Sequence, residues 1–372
     1  MRVLQLGKFY PIKGGVEKVM LDIMQGMAAR GVDCDMMCAA SEGRGKTVSL
    51  SDHSRLLTSR TWVKVASTTI SPSMISTLRR VANGYDIIHV HHPDPMAALA
   101  LRLSGFKGRV VLHWHSDIVK QKRLFRYYAP LQNWLIRRAD VVVGTSAEYV
   151  AHSPHLEAAR DKLAAIPIGV RGFEPDEEVA ERVRSRWPGR KIVFFLGRLI
   201  AYKGLEYLVA AAVHLPDDYV IAVGGEGPLR ASLEEQIHAQ GLDDKVYLMG
   251  EIPQEDLAGW YTACELFCLP SVMKTEAFGI VQIEAMSVGR PVVATNIEGS
   301  GTGWVNKHGY SGLNVPVRDA RALAKAITDV TADAKTYARY CRQARQRFEE
   351  RFVMERMIDD CEALYRKLLS EK

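Results

Sequence analysis

Short runs rich in β-branched and other apolar residues, each ending in glycine or a polar cluster, recur along this chain of 372 residues. Met1 to Leu6 stops at Gly7. Asp86 to Val90 stops at His91-His92-Pro93, and Val110-Val111-Leu112 at His113-Trp114-His115-Ser116-Asp117. Val141-Val142-Val143 stops at Gly144. After a break at Arg171 to Phe173 the pattern restarts with Lys191 to Leu196, Tyr219 to Val223, Lys245 to Met249, Ala263 to Pro270 and Val292 to Thr295. Such runs are too short for helices and lie between amphipathic segments, as buried strands of βαβ units do. Strands of that kind build parallel sheets whose ligands bind at the carboxyl ends. The expected fold class is α/β, with two Rossmann-like domains at residues 1–170 and 171–350. The residues just after each run are the first functional candidates.

Composition narrows the classes. Apolar residues make up 47% and charged residues 25%, the balance of an ordinary water-soluble chain. No apolar run approaches the eighteen or so residues of a membrane span. The apolar start before Gly7 is too short for a signal peptide and reads as a first strand. Cys34, Cys38, Cys264, Cys268, Cys341 and Cys361 form no C-x-x-C pair and read as buried thiols in a reducing compartment. Residues 1–170 carry a balance of +10 and residues 171–372 one of −4, which gives the net +6. A basic first half suits an anionic partner.

The richest stretch is Glu276-Ala277-Phe278-Gly279-Ile280-Val281-Gln282-Ile283-Glu284. A loop is expected up to Phe278-Gly279, then a helix from Ile280 to about Val288, stopped by Gly289 and Pro291. Backbone N–H groups of Gly279, Ile280 and Val281 would then be unpaired donors at a helix N-terminus, which favours phosphate. Were the whole stretch helical, Glu276 and Glu284 would stand about 12 Å apart at ~1.5 Å per residue. That is too far for a glycosidase pair, whose carboxyls lie roughly 5–9.5 Å apart. An amphipathic helix with one capping and one solvated Glu is the plainer reading of this stretch alone.

E-x-F-G-x-x-x-x-E resembles the signature of the retaining glycosyltransferases of family 4, which have the GT-B fold. The resemblance implies Glu276 at the donor sugar's hydroxyls and Glu284 at the nucleotide ribose. It implies two Rossmann-like domains facing each other across a cleft, and a C-terminal helix, 351–372, crossing back to the N-terminal domain. It extends over most of the chain. Gly14-Gly15 lies between strand one and a helix from Val16 to Ala29, where the family faces donor phosphates or acceptor. Arg198 and Lys203 flank a loop after a strand and match the family's diphosphate clamp, two cations at a strand's carboxyl end. Glu251 and Ile252 fall where the family contacts the base. His115 falls where a family histidine lies near the donor sugar. His-Trp-His-Ser-Asp-Ile looks like bacterial O-antigen mannosyltransferases.

Other motifs carry competing readings. Asp33 and Asp35 imitate a D-x-D metal motif but read as a strand start. His89, His91 and His92 invite zinc, yet no carboxylate or cysteine completes a recognised spacing, and core or cleft histidines are expected. No metal or other cofactor is called for. Lys120, Lys122, Arg123 and Arg126 open a basic segment that runs to Arg137-Arg138 with Phe, Tyr and Trp interleaved. Such a segment can lie on anionic lipid, and with Asp117 it is the candidate acceptor or membrane surface. A solvated helix face is the alternative. No nucleic-acid signature accompanies it.

The reading is a retaining hexosyltransferase with Arg198, Lys203, Glu276 and His115 in the reaction. Gly14, Gly15, Glu251, Ile252, Phe278, Gly279, Ile280, Val281 and Glu284 would hold the donor. The segment from Thr295 to Asn306 looks closest to users of GDP-mannose, and the acceptor would be a lipid-linked saccharide at the inner face of the cell membrane. The site is expected to be cytoplasmic, with the protein peripheral on that membrane. The alternatives are another donor, GDP-rhamnose or a UDP-sugar, a GT-B epimerase or phosphorylase, or a non-catalytic nucleotide-sugar or membrane-surface binding protein.

Overall fold

The computed structural model describes residues 1–12, 14–41, 45–65, 68–118 and 122–371. The chain forms two compact units, residues 1–169 with 354–372, and residues 170–353. The sequence pattern drew these limits at 170/171 and 350/351.

Unit 1 is built on ten strands: β1 (Arg2–Tyr10), β2 (Asp33–Ala40), β3 (Thr47–Ser51), β4 (Ser54–Arg60), β5 (Val63–Val65), β6 (Thr68–Ile70), β7 (Ile87–His92), β8 (Arg109–Trp114), β9 (Val141–Gly144) and β10 (Leu163–Ala165). Eight of them form one sheet in the order β10-β9-β8-β7-β1-β2-β4-β3. All neighbours are parallel except β3 and β4, and β5 and β6 pair as a separate antiparallel hairpin. Helix Gly15–Ala29 follows β1 and packs on helix Met354–Ser370. They touch at Gly26, where an added Cβ would lie 2.0 Å from Ile358 Cδ1. The chain's last helix therefore belongs to the first unit.

Unit 2 holds six strands: β11 (Lys191–Leu196), β12 (Tyr219–Gly224), β13 (Val246–Gly250), β14 (Leu266–Leu269), β15 (Val292–Asn296) and β16 (Gly312–Pro316). Their order is β13-β12-β11-β14-β15-β16, all parallel. β12 and β14 are buried at every position, and β11 at all but its two ends, as strands covered on both faces must be.

Several sequence expectations need correction. Strand one does not stop at Leu6: a bulge between Leu6 and Phe9, with Gly7 and Lys8 at positive φ, carries it to Tyr10 and shortens the expected glycine loop. β2 starts at Asp33, as the sequence pattern has it, and runs on to Ala40. Although no apolar run marks it, β4 joins the sheet beside β2 and buries Leu56 and Leu57. Ala263 ends a helix, Leu257–Ala263, instead of starting a strand. The imitation D-x-D is structural: Asp35 binds Arg55 Nη2 at 2.6 Å and accepts from Tyr85 Oη at 2.6 Å.

Candidate active site

In unit 2 the strand order reverses between β11 and β14, the point where open α/β sheets bind ligands. The loop leaving β11 carries Arg198 and Lys203, and the loop leaving β14 carries Glu276. Glycines allow the close packing that places them. A Cβ on Gly225 would lie 2.0 Å from Gly197 O, and one on Gly227 2.5 Å from Leu199 O. Gly204 has φ +65, and a Cβ there would lie 2.2 Å from Pro270 O, so these two loops meet backbone to side-chain-free backbone.

Lys203 Nζ is 2.5 Å from Glu276 Oε2, and both side chains are 10% exposed. Ser271 Oγ donates to the same carboxylate oxygen at 2.9 Å. The backbone behind Glu276 is fixed by two bonds from the glycine-rich segment: Ser300 Oγ donates to Glu276 O, and Gly301 N to Ala277 O at 2.8 Å. That segment holds a short helix, Thr302–Val305, and is pinned by buried Asn306, which donates to Val292 O and Leu313 O. One of its glycines, Gly303, allows close approach: an added Cβ would lie 2.9 Å from Asn296 Oδ1. Phe278 is buried against Trp304 and Phe352, so its ring anchors the loop.

Helix Ile280–Ser287 starts where the sequence pattern puts it. Gly279 precedes it at φ 77, and the N–H groups of Gly279, Ile280 and Val281 find no acceptor among the described residues. Glu276 stands outside this helix, so the all-helical 12 Å separation from Glu284 does not apply. Glu284 is half-buried and accepts from Tyr261 Oη at 2.8 Å. Burial, then Glu284 itself, pushes the Tyr261 hydroxyl well up, which keeps it a donor. Arg198 is exposed, and no ion pair joins its guanidinium to another described residue. It shares the loop with Lys203 without touching the pair. At the end of β13, Glu251 is exposed and Ile252 packs where a Cβ on Gly224 would be, 2.6 Å from Ile252 Cδ1.

Unit 1 gathers a second polar cluster. β1, β7 and β8 pair in register, Gln5 beside His89 and His91 beside His113. Alternation puts Gln5, His89, His91 and His113 on one sheet face, and His115 follows in the same sense. Their rings stack, with centroids 4.6 Å apart for His89 and His91 and 4.0 Å for His113 and His115. Tyr365, from the C-terminal helix, reaches His89 Nδ1 at 2.5 Å. Burial pulls the pKa values of these four rings and of neighbouring His92 down, His92 and His113 to about 3 and His89, His91 and His115 well below 6.5. They are neutral at pH 7.

Nitrogens of His91, His113 and His115 lie within 4.8 Å of one another, close enough to suggest metal donors. The ring planes argue otherwise. His113 and His115 are within 9° of parallel, so their lone pairs lie in separate planes. An ion at roughly 2.0–2.1 Å from both nitrogens would stand out of at least one plane. As arranged, the cluster holds no set of converging lone pairs.

The loop after β8 is braced by Asp117, which accepts from Trp114 Nε1 at 2.9 Å and Ser153 Oγ at 2.7 Å. Its carboxylate is buried. Both of those bonds fall on Oδ1, so this oxygen braces the protein's own loop at the residue that the sequence pattern assigned to an acceptor or membrane surface. Gly14 caps helix Gly15–Ala29 in extended backbone, and Glu17 folds back so that a Cβ on Gly14 would meet Glu17 Oε2 at 2.7 Å. The basic segment is helix Lys122–Arg138. Arg126 and Tyr127 are exposed, with the guanidinium 4.7 Å from the ring centre. Lys120 lies outside the described residues, as do the side chains of Lys122 and Arg123.

Sequence reasoning missed Gln5, Ser271, Tyr261, Ser300 and Tyr365. Gln5 alone left a signal, a polar residue inside an apolar run.

Sequence models of two families match the chain. The one described as Glycosyltransferase Family 4 matches residues 13–171, and the one described as Glycosyl transferases group 1 matches residues 177–347. The chain is 34% identical over 379 residues to the O-antigen chain mannosyltransferase C of Escherichia coli, with all of both chains covered. It is 30% identical over 358 residues to the D-rhamnosyltransferase WbpZ of Pseudomonas aeruginosa, covering 95% of this chain and 92% of that one. The fold is similar to that of sucrose-phosphate synthase from Thermosynechococcus elongatus, with a TM-score of 0.79, 25% identity and full coverage of both chains. It also resembles Anabaena Alr3699/HepE in complex with UDP, with a TM-score of 0.78, 20% identity and 99% and 100% coverage. With the two sheets, the reversal point and the Glu276–Glu284 signature in place, this chain belongs to the group 1 glycosyltransferases, enzymes of the GT-B fold that transfer hexosyl groups.

Proposed function

We propose that this enzyme transfers an α-mannosyl residue from GDP-mannose, with retention, to a lipid-linked saccharide acceptor of bacterial O-antigen synthesis. The observation that carries the sugar and the pathway is the full-length likeness to an O-antigen chain mannosyltransferase. Unit 2 would hold the nucleotide. The diphosphate would lie at the open N–H groups of Gly279, Ile280 and Val281, within reach of Arg198, a fixed field where negative charge develops. Lys203 gives one N–H to Glu276, and its ammonium has donors left for a phosphate oxygen. Glu276 would orient the sugar hydroxyls and Glu284 the ribose, with Glu251 and Ile252 at the base.

In this reading the bond between the anomeric carbon and the diphosphate oxygen breaks, and the nucleoside diphosphate leaves with the electron pair. The acceptor hydroxyl bonds to the same face of that carbon, and its proton passes to a leaving phosphate oxygen. His115 is assigned to the sugar on family resemblance. Two cations and a helix terminus supply the positive field, so no metal is assigned to the leaving group. Turnover that survives a chelator would agree.

A basic first half and the exposed Arg126–Tyr127 face of helix Lys122–Arg138 support docking on an anionic membrane. No helix among the described residues is long and apolar enough to cross a membrane. The likeness to a D-rhamnosyltransferase favours a second reading, GDP-rhamnose as donor. Thermal shifts with GDP-, UDP-, dTDP- and ADP-sugars, then transfer assays with the anomeric configuration read by NMR, decide between them. Transfer from a UDP-sugar alone would overturn both.

A further inference from the structure

The histidine cluster of unit 1 is wired in one direction. Each neutral imidazole carries one N–H and one lone pair, so its hydrogen bonds have fixed senses. Gln5 Nε2 donates to Tyr365 Oη at 3.1 Å and faces Cys34 Sγ at 3.6 Å. The amide oxygen is therefore the end that meets His91 Nε2, at 2.8 Å. An amide oxygen only accepts, so His91 carries its hydrogen on Nε2 and keeps a lone pair on Nδ1. That lone pair lies 2.8 Å from His115 Nε2. His115 must then carry its hydrogen on Nε2, and its remaining nitrogen, Nδ1, is an acceptor.

The neighbours make this arrangement consequential. Among the described residues, fully buried His113 has neither ring nitrogen bonded, and His89 Nε2 is also without a partner. His115 Nδ1 is not among these sealed nitrogens. The chain of bonds begins at the C-terminal helix, through Tyr365, and ends at the only ring of the series that the family resemblance assigns to substrate.

We infer that Gln5 and His91 are positioning residues that lock His115 in the Nε2–H tautomer, so that Nδ1 accepts a hydrogen bond from a ligand hydroxyl. The tautomer follows from unit 1 alone. The ligand hydroxyl rests on the proposed function. The specificity consequence is that His115 reads a hydroxyl donor, and a deoxy sugar at that position loses the bond.

The test uses the full chain labelled with 15N at histidine, with the His115 signals assigned by comparison with a His115→Ala protein. The wild type should show His115 protonated on Nε2 and bare on Nδ1. In His91→Leu the two tautomers should mix, and kcat should fall about tenfold with little change in donor KM, as for one lost hydrogen bond. His91→Asn keeps an acceptor where Nδ1 was, and should restore both the tautomer and most of the turnover. Should His91→Leu fail to fold, the wild-type spectrum still decides. A hydrogen on His115 Nδ1, or a tautomer indifferent to His91→Leu, overturns the inference. A protein with the expected spectrum that transfers no sugar supports the wiring and counts against the proposed function.

Discussion

Lys203 Nζ and Glu276 Oε2 meet at 2.5 Å across seventy-three residues of chain, and both are nearly closed to solvent. Removing one partner of such a pair strands a charge and costs about 3–5 kcal/mol, whereas removing both costs far less. Lys203→Met should therefore lower stability by about that amount, and Lys203→Met with Glu276→Gln should recover most of it. Neither protein should regain transfer. Denaturant unfolding beside a transfer assay separates the two effects, and restored turnover in the double variant would remove the pair from catalysis.

Arg198 presents the opposite case. It is exposed and bound to no described side chain, so Arg198→Ala should change stability by less than about 0.5 kcal/mol. If it stabilises the departing diphosphate, kcat should fall on the order of 10²–10³-fold. Full turnover in this variant would defeat the clamp.

Glu284 accepts from the Tyr261 hydroxyl, which fixes where its carboxylate stands. Glu284→Gln should raise the donor KM by about tenfold, one charge-assisted hydrogen bond, and leave kcat nearly unchanged. Truncated donors should show what it touches: loss of the ribose hydroxyls should cost the wild type and not the variant. Equal losses in both would place Glu284 elsewhere.

Acid should weaken unit 1 before its carboxylates titrate. Five histidines are buried neutral, with folded pKa values pulled down from 6.5, two of them to about 3. The unfolded chain then binds more protons than the folded one as pH drops. Their contribution is complete above about 6.5 and is lost progressively down towards 3. Each group well inside that window costs about 1.4 kcal/mol per pH unit. Trp114 stacks on His92 at 3.7 Å and provides a fluorescence probe local to the cluster. Denaturation midpoints read at pH 7.5, 6.5 and 5.5 should fall slightly over the first interval and steeply over the second. A flat profile would show that the cluster is hydrated.

Much of this protein is written locally. The apolar period marks β7, β8, β11, β12 and β15, and Gly279 announces the start of helix Ile280–Ser287, because each signal depends on neighbours within a turn or a strand. Even the family signature is local, and it names Glu276 and Glu284 without any geometry. β4 escaped because Leu56 and Leu57 sit among polar residues, and its place in the sheet is decided by its pairing with β2. The partner of Glu276 escaped for the same kind of reason. Lys203 reaches it only because the strand order reverses between β11 and β14, and strand order leaves no trace in periodicity. Tyr365 closes on Gln5 and His89 from the far end of the chain, across 360 and 276 residues. Local residue pattern thus determined which elements form and which side chains carry chemistry. Tertiary pairing alone decided which of those side chains neutralise, orient or fix the protons of one another, since such contacts arise only when distant segments are packed together.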